Sequence, residues 1–319
     1  MFDNIKGEII LEIENIKVLE NSEFDGILDK INIKGVIVND LTGITRENLT
    51  ELPFKLGIKD DCIGGNGKFY STETMCEILS IMEDIKNSIP KDATDLEKFM
   101  TVYKTLGMAA DYDYSGCDGK EDDMNETRSI KCALIDGRAV CVGYALTLMH
   151  VLKNVGIDAR CVSGLFIGET GKIGHEWNQV KIDGIWYNTD LTGDRNNIRN
   201  QDVLTYCLRS GEVFSKCYVP DDVVEECPID GSKDEIQQAL TKVCPELDEC
   251  KEDFGKGYRN LVKDIVQRDK TDIIKKSTIS IDDVAKMTEN ASALMEQEAI
   301  SVMIKEMEHE QQKSNQMEK

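Results

Sequence analysis

A cysteine, a histidine and an aspartate in the middle of the chain have the side-chain types that thiol-dependent acyl transfer needs. Cys141 lies in the stretch DGRAVCVGYAL, while His175 and Asp190 lie on either side of an Asp-Gly dipeptide. A cysteine can attack an amide carbonyl, a histidine can protonate the leaving amine, and a carboxylate can orient the histidine. These three residues are candidate catalytic residues, provided that the fold brings them together.

The residues after Cys141 predict a helix. Apolar side chains recur at spacings of three and four, namely Tyr144, Leu148, Leu152 and Val155. Gly156 follows where a C-terminal capping glycine belongs. Cys141 would then lie in the first helical turn, where unpaired N–H groups and the positive end of the helix dipole favour a thiolate over a thiol.

The histidine is selected by elimination, because the chain has three. His150 lies nine residues after Cys141 on the same predicted helix, which places it on roughly the opposite side and about 13 Å away. His309 lies in a glutamate-rich segment near the end of the chain. His175 remains as the candidate acid and base.

The stretch HEWNQVKIDGIWYNTD predicts two antiparallel strands joined at Asp183-Gly184, a dipeptide that type I′ turns prefer. If Ile182 opposes Ile185, then Trp177 opposes Asp190. His175 then points to the same face as Trp177, diagonal to Asp190 and within hydrogen-bonding reach of it. Glu176 points to the other face in this register.

Taken singly, each of these residues is more often structural: a core cysteine, a structural strand histidine and a turn aspartate. Their joint placement favours the catalytic interpretation. It predicts Cys141 as nucleophile, His175 as acid and base, and Asp190 as the residue that orients the imidazole. The backbone N–H of Cys141 is a candidate donor to the oxyanion, and the second donor is not assigned.

GRAVCVGYALTLMHVLKNVGIDARCVSG followed by GHEWNQVKIDGIWYNTDLTGD resembles the core of the transglutaminase-like superfamily. The resemblance covers about 137–194 and extends back to the predicted helix at 94–107, with Tyr112 and Asp113, and forward to about 220. It implies the same roles for Cys141, His175 and Asp190. It departs from the family after Thr192, where Gly193 stands in place of the usual tryptophan.

The resemblance implies an α+β, papain-like core in which a catalytic helix packs on an antiparallel sheet. Gly143, Tyr144 and Trp177, which belong to the same motifs, are predicted to bind substrate. Gly143 in particular would leave room for another chain to approach. The family includes cross-linking transglutaminases, peptide N-glycanases, amidases, cysteine proteases and inactive members, so fold and nucleophile transfer better than substrate.

The composition limits the classes of molecule that the protein is expected to bind. The 319 residues carry a formal net charge of −22, which disfavours nucleic acid and anionic membranes. The first residues lack a secretion signal, and no apolar run reaches membrane-spanning length. Eleven scattered cysteines, without CxxC pairs, predict a reducing cytoplasm and neither a disulfide framework nor a zinc site.

The chain is predicted to have three parts: a β-rich N-terminal segment at 1–70, the catalytic domain at 71–220 and a helical C-terminal region at 221–319. Alternating Ile9, Leu11 and Ile13 and the stretch INIKGVIVND predict strands in the first part. In the third part, an apolar, methionine-rich stripe at 282–310 favours core packing and allows binding of a protein partner. The polar last ten residues are predicted to be a disordered tail.

Two further motifs are weighed. CIGGNGKFYST lacks the first glycine of a phosphate-binding loop, so nucleotide binding is rejected. DYDYSGCDGKED, at 111–122, partly matches a calcium loop, but Asp118 replaces its apolar eighth residue and Asp122 replaces its final glutamate. We therefore expect a solvated acidic loop, and no metal or cofactor.

The sequence predicts an enzyme that cleaves amide bonds of proteins or peptides through a thioester, with water as the default acceptor. The first alternative is a non-catalytic binding module that keeps the fold. The second is a protein-crosslinking transglutaminase, and a calcium-gated one would lose activity to a chelator. The retention of Cys141, His175 and Asp190 together favours the enzyme.

Overall fold

The computed structural model describes residues 9–20, 33–52, 54–58, 68–115, 127–169, 171–250 and 254–276. The chain divides into two compact units, Met1–Ile265 and Val266–Lys319. Only residues 266–276 of the second unit are described, and they are helical. The predicted stripe at 282–310, with its possible partner-binding role, the polar tail and His309 lie outside the described residues.

The N-terminal segment forms a four-stranded sheet, as its β-rich composition predicts. Its strands are β1 (Ile9–Asn15), β2 (Ile33–Asp40), β3 (Lys55–Ile58) and β4 (Lys68–Phe69). The first three run parallel, and β4 is antiparallel to β3. A 3₁₀ turn (Ile16–Glu20) follows β1, and helix α1 (Arg46–Glu51) connects β2 to β3. The strand predicted at INIKGVIVND is therefore confirmed as β2.

Two helices follow, α2 (Thr72–Ser88) and α3 (Asp95–Ala109). Ser71 caps α2, and Thr94 and Glu97 form the predicted capping box at the start of α3. Ile78, Ile81 and Ile85 bury one face of α2 completely. Both helices are therefore core helices, as their apolar periodicity predicts.

The second sheet has the strand order β10-β7-β8-β9 and is antiparallel throughout. Its strands are β7 (Ala159–Gly168), β8 (Gly171–Ile182), β9 (Ile185–Thr189) and β10 (Tyr218–Pro220). Helix α4 (Cys141–Asn154) packs on this sheet, where the Asn178 side-chain amide donates to the Ala145 carbonyl at 2.9 Å. The predicted α+β arrangement, with a helix on an antiparallel sheet, is confirmed.

Short elements connect these layers. A π-helical turn (Cys132–Asp136) lies in the chain between β5 (Asp111–Tyr112) and β6 (Arg138–Ala139), which pair with each other. After β9 come α5 (Leu191–Asn200), α6 (Gly211–Phe214), α7 (Lys233–Lys242), a 3₁₀ turn (Pro245–Glu249) and α8 (Tyr258–Lys276). One hydrophobic cluster includes buried side chains from Ile16 to Leu261, across positions 70 and 220. The domain boundaries placed there remain predictions.

Candidate active site

Cys141 is the first residue of α4 and is partly exposed as a free thiol. Val140, the N-cap residue, provides no side-chain cap to the first helical turn. The segment before it is held by two strand-like contacts: β6 pairs with β5, and the Val140 N–H donates to the Thr127 carbonyl at 3.0 Å. The thiol therefore lies at the positive end of the helix dipole, beside backbone N–H groups that no side chain caps.

The β8–β9 hairpin has the predicted register. Ile182 opposes Ile185, and Asp183 and Gly184 both have positive φ values, 49° and 83°, as a type I′ turn requires. The ladder ends at the pair Asn178 and Thr189, so Asp190 leaves the sheet and becomes the N-cap residue of α5. The hairpin places Asp190 next to His175 because the turn fixes which residues of β8 and β9 lie opposite each other.

His175 and Asp190 form a buried pair, with 2.8 Å between His175 Nε2 and Asp190 Oδ2. Their side chains are 11% and 3% exposed. The Cys141 thiol lies near enough to the His175 side chain to help raise the pKa of the imidazole. Because Nε2 faces the carboxylate, Nδ1 is the nitrogen available to the thiol. The three predicted residues are thus brought together in one chain of contacts, while their catalytic roles remain a prediction.

Tyr218, on β10, is part of the same chain of contacts and was missed by sequence reasoning. Its hydroxyl donates to Asp190 Oδ2 at 2.7 Å, the oxygen that also faces His175. Its ring stacks on Phe214, with 3.9 Å between centroids. The Gly193 N–H donates to the other carboxylate oxygen at 3.2 Å. Three donors therefore hold Asp190 in one orientation; nothing in the local sequence around Tyr218 indicates this contact.

The charges in the site reinforce one another. Burial alone would lower the pKa of His175, but the Asp190 charge, the hydrogen bond to Asp190 and the nearby Cys141 thiol outweigh it and raise this pKa to about 10. Burial alone would raise the pKa of Asp190, but the His175 charge and the bonds from His175, Tyr218 and Gly193 lower it. At neutral pH the pair is therefore an imidazolium beside a carboxylate.

A second buried carboxylate, Asp194, lies one helical turn after Asp190. It accepts hydrogen bonds from the Thr205 and Tyr206 N–H groups and from the Tyr103 hydroxyl, at 2.7 Å, 3.0 Å and 3.1 Å. Burial raises the pKa of Asp194 to about 6, despite these bonds. In the loop that Asp194 holds, the Tyr206 carbonyl accepts a hydrogen bond from the Asp190 N–H. Asp194 therefore helps to fix the backbone position of Asp190.

The three residues predicted to bind substrate lie in the interior. A Cβ at Gly143 would come within 2.7 Å of the Thr127 carbonyl oxygen, so the chain that approaches this glycine is the protein's own. Tyr144 is 1% exposed and donates to the Ala110 carbonyl at 2.8 Å. Trp177 is 2% exposed and packs edge-on against Tyr218. In these positions they shape the site from within, and direct contact with substrate remains a prediction.

At Gly193, where the motif resemblance implies a tryptophan, the adjacent space is occupied by the side chain of another residue, Tyr206. The ring of Tyr206 lies over Gly193, 2.5 Å from where a Cβ would stand. An aromatic side chain from a later loop therefore takes the space next to Asp190 that Gly193 leaves open.

The other candidates from the sequence do not join the site. His150 is buried at 1% exposure in the second half of α4. Glu176 accepts a hydrogen bond from the Ser163 hydroxyl at 2.6 Å, on the face away from Asp190. Of the acidic loop at 111–122, residues 116–122 lie outside the described residues, and Asp113 accepts from Ser115.

Two searches cover the described ranges only. In them, no three His, Cys, Asp or Glu side chains come together in an arrangement that could hold a metal ion. Nor does any helix there combine the length and apolarity that crossing a bilayer requires.

Comparison with known proteins identifies this core. Residues 83–191 match the family model Transglut_core, described as the transglutaminase-like superfamily. The match contains Cys141, His175 and Asp190. The chain therefore carries a transglutaminase-like core, as the motif resemblance implied. No curated protein gives a significant match to the sequence.

Three solved structures show partial likeness. A TGase is 18% identical over 38% of this chain and 32% of its own, with a TM-score of 0.33. A candidate cysteine protease from Cytophaga hutchinsonii is 16% identical over 37% of this chain and 38% of its own, with a TM-score of 0.27. The Bacillus cereus arylamine N-acetyltransferase (BACCR)NAT3, with a Cys-His-Glu triad, is 12% identical over 56% and 79%, with a TM-score of 0.30. The chain thus spans well under half of the first two.

Proposed function

We propose that the protein is a cysteine-dependent hydrolase that cleaves amide bonds of proteins or peptides. The observation that supports this most is the chain of contacts from the Cys141 thiol through His175 and Asp190 to the Tyr218 hydroxyl. A buried imidazole with a carboxylate on one nitrogen and a thiol nearby is the arrangement that a thiolate–imidazolium nucleophile requires. A purely structural histidine needs neither partner.

The reaction has two halves. The Cys141 thiolate attacks the amide carbonyl carbon, and the tetrahedral oxyanion is stabilised by the backbone N–H at the start of α4. The intermediate collapses as the C–N bond breaks, and the leaving amine takes a proton from the His175 imidazolium. Water then loses a proton to neutral His175 as it attacks the thioester, and release of the carboxylic acid restores the thiolate and the imidazolium.

Water is the proposed acceptor because selective transfer to an amine requires a site that admits the amine and excludes water. The described cysteines are free thiols, which supports the proposal that the protein works in a reducing cytoplasm. Net charge of −22 supports protein or peptide substrates over nucleic acid or anionic lipid.

The test is alkylation of the folded protein by limiting iodoacetamide from about pH 5 to 9, with the rate at each cysteine obtained by peptide mapping. We expect Cys141 to react fastest and to stay reactive below about pH 7, and His175→Ala to remove that advantage. Equal rates at Cys141 and the other cysteines would overturn the proposal and favour the non-catalytic binding module.

The acceptor is tested separately with an activated ester such as p-nitrophenyl acetate, which acylates the thiol. Addition of a primary amine partitions the acyl-enzyme between acid and amide products. Acid as the main product at millimolar amine supports hydrolysis. Amide as the main product, beyond what the amine forms from the ester without enzyme, would overturn hydrolysis and favour the transglutaminase alternative, and loss of either product with a chelator would favour calcium gating.

A further inference from the structure

Arg195 has no carboxylate partner among the described residues of this strongly acidic protein. In the described part of the chain, its guanidinium contacts two neutral oxygens: it donates through Nη1 to the Thr192 carbonyl and through Nη2 to the Tyr114 hydroxyl, the latter at 3.1 Å. Its Nε is buried and has no hydrogen-bond partner there. The guanidinium also lies over the Tyr112 ring, 5.0 Å from its centroid.

The next arginine on the same helix, Arg199, provides a comparison because its charge is paired with a carboxylate. Arg199, one turn after Arg195, pairs with Asp111 at 2.9 Å and donates to the Gly107 and Ala110 carbonyls. Its guanidinium lies 3.8 Å from the Phe254 ring centroid. Arg199 therefore fastens α5 to α3, whereas the charge of Arg195 is not neutralised by any described carboxylate.

Arg195 is close in sequence to Asp190. It follows Asp190 by five residues on α5 and binds the carbonyl of Thr192, two residues from Asp190. Its aromatic partner Tyr112 pairs with Ala139, two residues before Cys141, and the Asp113 N–H donates to the same Ala139 at 3.1 Å. Arg195 and its aromatic partner Tyr112 are thus connected, through Thr192 and Ala139, to the two segments that carry Asp190 and Cys141.

Tyr114 completes a pair of donors. It is 70% exposed, and its hydroxyl oxygen accepts from Arg195. The hydroxyl hydrogen is therefore left to donate outward, next to the remaining N–H groups of Arg195. A carboxylate suits this pair, because charge-assisted bonds from a guanidinium to a carboxylate are stronger than those to neutral acceptors.

We infer that Arg195 and Tyr114 form a carboxylate-binding subsite that selects substrates with a negatively charged group close to the scissile amide. The inference rests on the proposed function in taking Cys141 as the reacting residue. It narrows the substrate class to acidic peptides or to peptides cleaved next to their free C-terminus.

The test compares two alkylating reagents at one thiol. Iodoacetate carries a carboxylate and iodoacetamide does not, while both form the same type of S–C bond and release iodide. The ratio of their rates at Cys141, measured by peptide mapping, reports carboxylate recognition and cancels the reactivity of the thiol itself. We expect Arg195→Gln to lower this ratio about tenfold, the equivalent of about 1.4 kcal/mol, and Tyr114→Phe to lower it about threefold.

Two controls isolate the site. Lys153→Gln removes the same charge from the far end of α4, about 18 Å along the helix from Cys141, and the ratio is expected to stay unchanged. Arg195→Lys keeps the charge and is expected to restore part of the ratio. An unchanged ratio in both Arg195→Gln and Tyr114→Phe, or an equal fall in Lys153→Gln, would overturn the inference.

A second experiment asks whether the bound carboxylate is a peptide C-terminus or an acidic side chain. It measures how well short peptides at millimolar concentration protect Cys141 against iodoacetamide. Protection by trialanine acid, but not by its amide, identifies a C-terminal carboxylate. Protection by Ala-Asp-Ala amide identifies an acidic side chain. Failure of the proposed function has a separate signature, since iodoacetamide would then not favour Cys141 in the wild-type protein, whereas the reagent ratio can still be measured there.

Discussion

Two buried carboxylates one helical turn apart, Asp190 and Asp194, are in opposite electrostatic states. Asp190 faces the reaction centre, where the His175 charge overcomes the cost of burial and lowers its pKa. Asp194 faces the interior loop at 205–206, where hydrogen-bond donors but no described cation contact it, and burial raises its pKa to about 6. Burial therefore does not by itself decide the charge state of these two carboxylates, and the imidazole beside Asp190 makes the difference.

The largest expected effect comes from Asp190→Asn, which keeps the shape of the side chain and removes its charge. We expect the rate of acylation by p-nitrophenyl acetate to fall roughly 10³-fold or more, because the imidazole loses both its tautomer and its counter-charge. The measurement is the burst of p-nitrophenolate at neutral pH. Asp194→Asn is the matched control, and an equal fall in both variants would remove the distinction between the two carboxylates.

Tyr218→Phe is expected to have the next largest effect. It removes one donor to Asp190, a hydrogen bond to a charged group worth about 1.5–3 kcal/mol, so acylation should slow roughly 10- to 100-fold. If Tyr218 acts by positioning Asp190, the pH profile of Cys141 alkylation should shift as well. A purely structural role would lower stability and leave that profile unmoved.

The two carboxylates also predict opposite pH dependences of stability. The raised pKa of His175 means that its contribution is complete below about pH 6.5 and is lost as pH rises toward 10. Asp190, with a lowered pKa, contributes above about pH 3.8, and this contribution is lost at more acidic pH. Asp194 has a raised pKa, so its cost is complete above about pH 6 and disappears as pH falls toward 3.8.

Urea unfolding of the wild type and of Asp194→Asn at several pH values between 4 and 7 checks this sign. The difference in free energy of unfolding between the two proteins should change by about 3 kcal/mol in favour of the wild type as pH falls through this range. A difference that does not vary with pH would mean that Asp194 has an ordinary pKa in the folded protein.

The smallest effect is expected from Tyr103→Phe, which removes the hydroxyl that donates to Asp194 at 3.1 Å. We expect a loss of stability of about 1–2 kcal/mol and no change in Cys141 alkylation. Tyr103→Phe removes a tyrosine hydroxyl from Asp194, just as Tyr218→Phe removes one from Asp190, so the two variants can be compared directly. Slower alkylation in Tyr103→Phe would show that the loop held by Asp194 is coupled to the reaction centre.

Much of the candidate site could be predicted because the determinants are local. The period of three and four residues after Cys141 sets the helix, and Asp183-Gly184 sets the register that brings His175 to Asp190. The capping box at Thr94 and Glu97 likewise depends on residues three apart. Such features are encoded within about fifteen residues, so periodicity and turn chemistry are sufficient to recognise them.

The rest depends on contacts between residues distant in sequence. Tyr218 reaches Asp190 from 28 residues away, and Tyr103 reaches Asp194 from 91. The parallel order of β1–β3 and the Thr127 carbonyl against Gly143 have the same character. By itself, the sequence determined the helix start at Cys141 and the hairpin that brings His175 to Asp190, and so predicted the candidate triad, since a helix start and a tight turn are local events. Only the tertiary structure decided which carboxylate has a charged neighbour, and which arginine of α5 has no carboxylate partner among the described residues, because burial and charge pairing are set by packing between distant segments.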